Sequence, residues 1–385
     1  MRDFSRSITL HQLRTLAFGA GCLAQCAPAL LARGSRSVLL VTAPPLIGLT
    51  TPLVDALRSS GCLVRVWSGA KQEPTIRDFE AALAVGQETR ADAVIGFGGG
   101  SAMDVAKLVA AFLSNAQSVH DAFGVGKLHG RATHLVCIPT TSGTGSEVSP
   151  IAILLDEADE LKKGVVSPHL VPDAAYVDPV LAVSMPPEVT AATGIDAFTH
   201  CLEAFANRHA HPIVDNYALE GLRLIAASLP RAIENGADIE ARTCVSLGSL
   251  YGGLCLGPVN TAAIHALSYP LGGEFHVAHG VANAVLLPHV LEFNLPAAPK
   301  RYAEVAIALG AQGGGTDEDV AQRGLNLVRD LLRKCGLPSR LSQFGIGAES
   351  IGHMARAAMT VQRLLEKNLR LVTEKDAQEI YRAAL

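Results

Sequence analysis

The chain has 385 residues, 49% hydrophobic and 18% charged, with a formal net charge of −4. That length suffices for two domains with sizeable cores. Mild acidity without a long basic stretch argues against nucleic acid and anionic membrane as partners.

No run reaches the ~20 apolar residues of a membrane span, and the N-terminus lacks the apolar stretch of a signal peptide. The eight cysteines are scattered and form no C-x-x-C. They read as reduced thiols of a cytoplasmic protein.

Up to about residue 184 the chain alternates short apolar runs with amphipathic stretches. Ser37–Thr42 reads as a buried strand, 51–60 as a helix and Leu63–Trp67 as a strand. Thr75–Arg90 has helical spacing, Ala93–Phe97 is again a strand, Ser101–Leu113 a helix and Thr133–Ile138 a strand. Ile151–Leu155 and the Pro-rich 167–187 close this layer. Near-continuous apolar strands alternating with helices predict a parallel sheet covered on both faces.

From Pro187 onward the strand signal disappears. Helices are expected over 187–206, 212–228 and 239–256, around His265, and over 299–309, 319–335, 348–358 and 374–384, with Gly and Pro at the joins. The expected domains are 1–184, an α/β dinucleotide-binding domain with a variant Rossmann-like parallel sheet, and 185–385, all-helical and metal-binding.

Two polar turns suit phosphate. Gly98, Gly99, Gly100 and Ser101 lie where a strand passes into a helix, so the backbone can approach an anion at the positive end of a helix dipole. Asp104 and Lys107 follow one and two turns later. Pro139–Glu147 holds Thr140, Thr141 and Thr144 among two glycines and suits a pyrophosphate or nicotinamide ribose. Both turns fall at the carboxyl ends of strands, where open α/β sheets bind ligands. No G-x-G-x-x-G occurs.

Asp196 and His200 form a D-x-x-x-H pair on one helix face. His265 and His279 come from a later helix and the loop after it. One carboxylate and three imidazoles suit Fe(II), Zn(II), Mn(II) or Co(II) better than Mg or Ca. A metal with an open position would bind an alcohol oxygen and lower its pKa, or polarise an aldehyde carbonyl.

Together these motifs resemble the iron-containing (group III) alcohol dehydrogenase family over nearly the whole chain. The ordered set runs through Phe18–Gly21, Glu73–Thr75, Gly98–Lys107, Pro139–Glu147, Ser167-Pro168, Asp178-Pro179, Gly194–Glu203, His265–Gly280 and Asn283–Pro288. The resemblance implies a dehydroquinate synthase-like architecture with the active site between the two domains.

It implies Asp196, His200, His265 and His279 as ligands of Fe(II), with Zn(II) as the alternative. NAD or NADP would be held by Gly98–Ser101, Asp104, Thr140, Thr141, Thr144 and Lys162, with Ala43 beside the adenosine ribose. The partner is a small, aliphatic alcohol or aldehyde, and a homodimer is expected.

Three departures from the family pattern matter. Ala43 stands where NAD-preferring members carry an Asp, which admits NADP. Tyr269 replaces a histidine proposed as a proton relay, so Tyr269 and His276 are the relay candidates. Ile151 replaces an Asn of diol-specific relatives, which argues against a diol enzyme. Dehydroquinate-synthase-like, glycerol-dehydrogenase-like and metal-free maleylacetate-reductase-type relatives are the alternatives. The first needs a basic pocket and the last lacks the metal ligands.

Overall fold

Strand-forming runs of Val, Ile and Leu define the first half of the chain, and the computed structural model describes residues 5–158 and 161–385. The strands are β1 (Thr15–Phe18), β2 (Ser37–Val41), β3 (Leu63–Trp67), β4 (Ala93–Gly98), β5 (Gly124–Val125), β6 (His134–Pro139), β7 (Ile151–Asp156), β8 (Leu161–Val166) and β9 (Ala174–Val177). Six form a sheet in the order β1-β9-β6-β4-β2-β3, parallel throughout.

Helices α1 (Cys26–Arg33), α2 (Ile47–Ser59), α3 (Ile76–Glu88), α4 (Gly100–Phe112) and α5 (Val119–Ala122) lie between the strands. Alternation along β2 explains the burial of both faces. Leu39 and Val41 pack with Met103 and Phe112, while Val38 and Leu40 pack with Leu30, Leu53 and Leu57.

Two features of this half differ from the sequence expectation. β7 does not extend the main sheet. It pairs antiparallel with β8, and β5 joins them in a separate three-stranded sheet. The Pro-rich 167–187 contains β9, which enters the sheet between β1 and β6. Four residues of Ala, Tyr and Val carry too little pattern to announce a central strand.

The second half is helical: α6 (Pro187–Phe205), α7 (Pro212–Glu234), α8 (Ile239–Leu256), α9 (Ala263–Phe275), α10 (His279–Asn294), α11 (Pro299–Ala308), α12 (Asp317–Lys334), α13 (Ile351–Met359), α14 (Gln362–Leu365) and α15 (Glu374–Ala383). Proline opens α6, α7 and α11, where its missing N–H costs nothing. Reciprocal capping boxes start α12 at Thr316/Asp319 and α15 at Thr373/Asp376. One apolar core gathers Phe198, Phe205, Leu222, Leu267, Leu287 and Tyr381.

His279 is not in a loop. It is the first residue of α10, a sixteen-residue helix that continues through Pro288. Glycines and prolines around 270–288 masked that helix in the sequence.

Contacts group Leu10–Thr141 with Gly145–Ser184 as one compact unit. Ser142–Thr144, Met185–Leu385 and the described residues preceding Leu10 form the other. The tip of the second polar turn thus belongs to the helical unit, where Ser142 Oγ lies 2.8 Å from Ser246 Oγ.

Candidate functional site

In the sheet unit, β4 ends at Gly98, whose φ of +154° and lack of a Cβ are both used. An added Cβ would stand 2.9 Å from Ala102 Cβ. Gly99 is the N-cap of α4 and offers no side chain to its first turn. The free N–H groups there, with the helix dipole behind them, make a cradle for an anionic oxygen. The second turn lies alongside: Thr140 N donates to Gly98 O at 3.0 Å. A Cβ on Gly99 would lie 3.5 Å from Thr141 Oγ1.

The strand order reverses beside β4, between β2 and β4, where doubly wound sheets open a ligand crevice. Ala43 follows β2 at that point, half-buried and without a carboxylate.

Other residues expected at the cofactor have partners within the protein. Asp104 accepts from Ser146 Oγ at 2.6 Å and from Ile153 N at 3.0 Å. Ser101 Oγ donates to Gln72 O at 2.5 Å. Lys162, on β8, pairs with Glu73 at 2.5 Å. Thr144 is half-buried in the segment grouped with the helical unit.

The helical unit brings the four expected metal donors together. Helix α6 presents Asp196 and His200, α9 presents His265 near its start, and α10 presents His279 at its first position. Asp196 Oδ1 lies 3.7 Å from His200 Nε2, 3.5 Å from His265 Nε2 and 3.5 Å from His279 Nε2. Four donors about 2.1 Å from one tetrahedral ion stand roughly 3.4 Å apart, so the three distances from Asp196 fit a divalent transition metal, while His200 falls outside the tightest group of donors.

The Asp196, His265 and His279 donor atoms all lie within 4.8 Å of one another. The His200 and His265 rings stack at 4.8 Å. Asp196, His200 and His265 are buried. His279 is 36% exposed and marks the accessible side.

The electrostatics agree with a cation site. Burial alone would raise the Asp196 carboxyl, but His200, His279 and His265 outweigh it and hold the group well below the usual carboxylate range. Burial lowers His200 despite Asp196. His265 is raised against its burial because Glu203 and Asp196 flank it.

Two further groups, inside segments of the resemblance but not among the expected site residues, belong to this constellation. Glu203 Oε2 meets His265 Nδ1 at 2.5 Å. Asn283 Nδ2 donates to Asp196 Oδ1 at 2.9 Å and stands 3.3 and 3.4 Å from Nε2 of His265 and His279. The spacing could have revealed both. Glu203 follows His200 by one helical turn, and Asn283 follows His279 by one.

The relay candidates differ in setting. The Tyr269 ring centroid lies 6.1 Å from that of His279, and its hydroxyl accepts from Arg363 Nη2 at 3.3 Å. Burial raises the phenol, with Arg363 opposing. His276 is exposed and closes α9 in a left-handed conformation, φ +54°. Phe198, between Asp196 and His200 on α6, is fully buried in the helical core.

Comparison with known proteins identifies a family and a fold. Residues 14–179 fit the family model described as iron-containing alcohol dehydrogenase, and residues 190–385 the model for the C-terminal part of that family. Long-chain-alcohol dehydrogenase 1 of Geobacillus thermodenitrificans is 39% identical, covering 95% of this chain and 94% of that protein. A solved 1,3-propanediol oxidoreductase superposes with a TM-score of 0.96 at 30% identity, covering 99% of this chain and 100% of the other. Sulfoacetaldehyde reductase from Bifidobacterium kashiwanohense, solved with NAD+, gives 0.91 at 27% identity, covering 99% of each. The chain belongs to the iron-containing alcohol dehydrogenase family.

Proposed function

We propose that this chain is a metal-dependent alcohol dehydrogenase and aldehyde reductase, moving hydride between NAD(P)(H) and a small aliphatic alcohol or aldehyde. The observation that carries the reading is the convergence of Asp196 Oδ1 with three imidazole nitrogens at 3.5–3.7 Å. A divalent cation held there, Fe(II) first and Zn(II) second, supplies Lewis acidity toward a substrate oxygen. A nicotinamide dinucleotide supplies the hydride acceptor or donor.

The chain's own groups do the rest. Asp196 and the three histidines would hold the cation, with approach from the His279 side. Gly99, Gly100 and Ser101 would receive the pyrophosphate on the free N–H groups of α4, and Thr140, Thr141 and Thr144 would face the rest of the dinucleotide. Asp104 would act on it indirectly, since both its oxygens hold Ser146 and Ile153. Lys162 reaches it only by leaving Glu73.

Proton exchange falls to Tyr269, beside His279, or to His276 on the exposed turn. The carrier is the one whose replacement, Tyr269→Phe or His276→Ala, removes a limb of the kcat–pH profile.

Other observations bear on the cofactor, the substrate and the setting. Ala43 offers no carboxylate against a 2′-phosphate, so NADPH is admitted beside NADH, with no nearby Arg in the sequence to demand it. Related proteins bear names for long-chain alcohol, 1,3-propanediol and sulfoacetaldehyde chemistry. Eight unpaired cysteines fit a reducing, cytoplasmic setting, and no helix among the described residues is long and apolar enough to cross a membrane. A homodimer is the proposed assembly, read by light scattering.

The test is a panel of linear aldehydes with NADH and NADPH on anaerobically iron-loaded protein. Turnover of short and medium aldehydes with either cofactor is expected. Absence of turnover with every aldehyde would refute the reading, and absence with NADPH alone would refute the inference from Ala43.

A further inference from the structure

Glu203 is 4% exposed in the interior of the helical unit. A carboxylate there is costly unless its oxygens are used, and both are. Oε2 stands 2.5 Å from His265 Nδ1, and Oε1 accepts the Ile264 N–H at 2.5 Å. The two bonds grip one short segment at the start of α9.

Their consequence is chemical as well as mechanical. With Nδ1 donating to Glu203, the proton of neutral His265 is fixed on that nitrogen. Nε2 then keeps its lone pair, 3.5 Å from Asp196 Oδ1 and turned into the donor set. That is the tautomer a metal ligand needs, and a carboxylate behind an imidazole also makes the ring a stronger donor.

Helix geometry makes the arrangement economical. Asp196, His200 and Glu203 fall at positions i, i+4 and i+7 of α6, one face of one helix. The helix that carries two donors therefore also orients a third, on α9.

We infer that Glu203 is a positioning residue of the metal centre: it holds the His265 ring and its Nδ1–H tautomer, and adds a second negative charge near the cation. The inference rests on the reading that Asp196, His200, His265 and His279 hold a divalent ion.

The test uses full-length protein freed of metal and titrated with Co(II) against a chromophoric chelator, with visible absorption recorded. Wild type is compared with E203Q, E203D, E203A and H265A, and dinucleotide affinity serves as the folding control. E203Q keeps the shape and removes the charge. It is expected to weaken Co(II) binding about ten- to a hundredfold and to shift the absorption band. E203D should recover part of the affinity, with dinucleotide binding unchanged throughout.

If E203Q and E203A bind Co(II) within twofold of wild type with an unchanged spectrum while H265A loses the metal, the role of Glu203 is refuted. If H265A also binds as wild type does, the donor set itself is wrong and the inference falls with it.

Discussion

Glu147 ends the second polar turn and is 3% exposed. Burial pushes its carboxyl up to about 7, against its own backbone N–H and the nearby Lys107. The folded chain therefore keeps a proton that the unfolded chain loses near pH ~4.3. Between about pH 4.3 and 7 the native state binds more protons, so stability falls as pH rises and levels off above that window. One such group contributes a slope of at most about 1.4 kcal/mol per pH unit. Glu147→Gln should flatten this fall, read as thermal midpoints across the window. Parallel curves for the two proteins would contradict it.

Asp173 carries the opposite sign. Burial would raise it, yet bonds from His134, Arg131 and the Leu135 N–H hold it well below the usual carboxylate range. Its contribution to stability is present at neutral pH. It begins to fade as pH drops below about 4, where the unfolded carboxyl protonates. Asp173→Asn should destabilise at neutral pH, with the gap to wild type narrowing in acid. A constant gap down to acid unfolding would count against this origin.

At the scale of elements, two contacts decide where the donors and turns sit. Helix α10 approaches α6 so closely that a Cβ on Gly280 would fall 2.0 Å from Ala192 O. Backbone cannot yield as a side-chain end does, so Gly280→Ala must push the start of α10 away and carry His279 with it. The expected cost is about 1–3 kcal/mol of stability, with metal affinity reduced and dinucleotide affinity kept. Unchanged metal affinity by calorimetry would contradict that coupling.

Helix α4 depends similarly on Lys107, which is fully buried and donates to Ser149 O at 2.9 Å, Ser149 Oγ at 3.3 Å and Ile151 O at 2.9 Å. With Asp104 it stitches the helix behind the first turn to the segment following the second. Lys107→Met orphans those acceptors at a cost of about 1–3 kcal/mol. It should loosen dinucleotide binding while metal binding stays intact. A dinucleotide Kd equal to wild type in the folded variant would refute the link.

The same elements show what a sequence reader can and cannot see. Long apolar strands such as β2 and β4 and well-capped helices such as α8 announce themselves through periodicity. β1 and β9 are four residues each, and their place in the sheet is set by tertiary pairing. D-x-x-x-H exposes half of the donor set because a helix repeats every 3.6 residues. Glu203 and Asn283 lie one turn after His200 and His279 and so within reach of the same rule, but their partners, His265 and Asp196, stand on other helices and are set by tertiary packing.

For the molecule as a whole, the residues of the proposed chemistry are divided between two compact units. The sheet unit carries the anion cradle at Gly98–Ser101, and the helical unit carries the Asp196, His200, His265 and His279 donors. Losses should therefore be separable: His265→Ala abolishes metal binding and turnover, yet leaves dinucleotide affinity within about twofold of wild type.

In the proposed reading, hydride transfer by this chain depends on one cation at those four side chains. The most direct test of that dependence follows aldehyde reduction as chelated protein is refilled with Fe(II) under anaerobic conditions, with metal content measured at each point. Activity should rise in proportion to occupancy and saturate at one ion per chain. Full turnover in protein stripped of metal would contradict the claim.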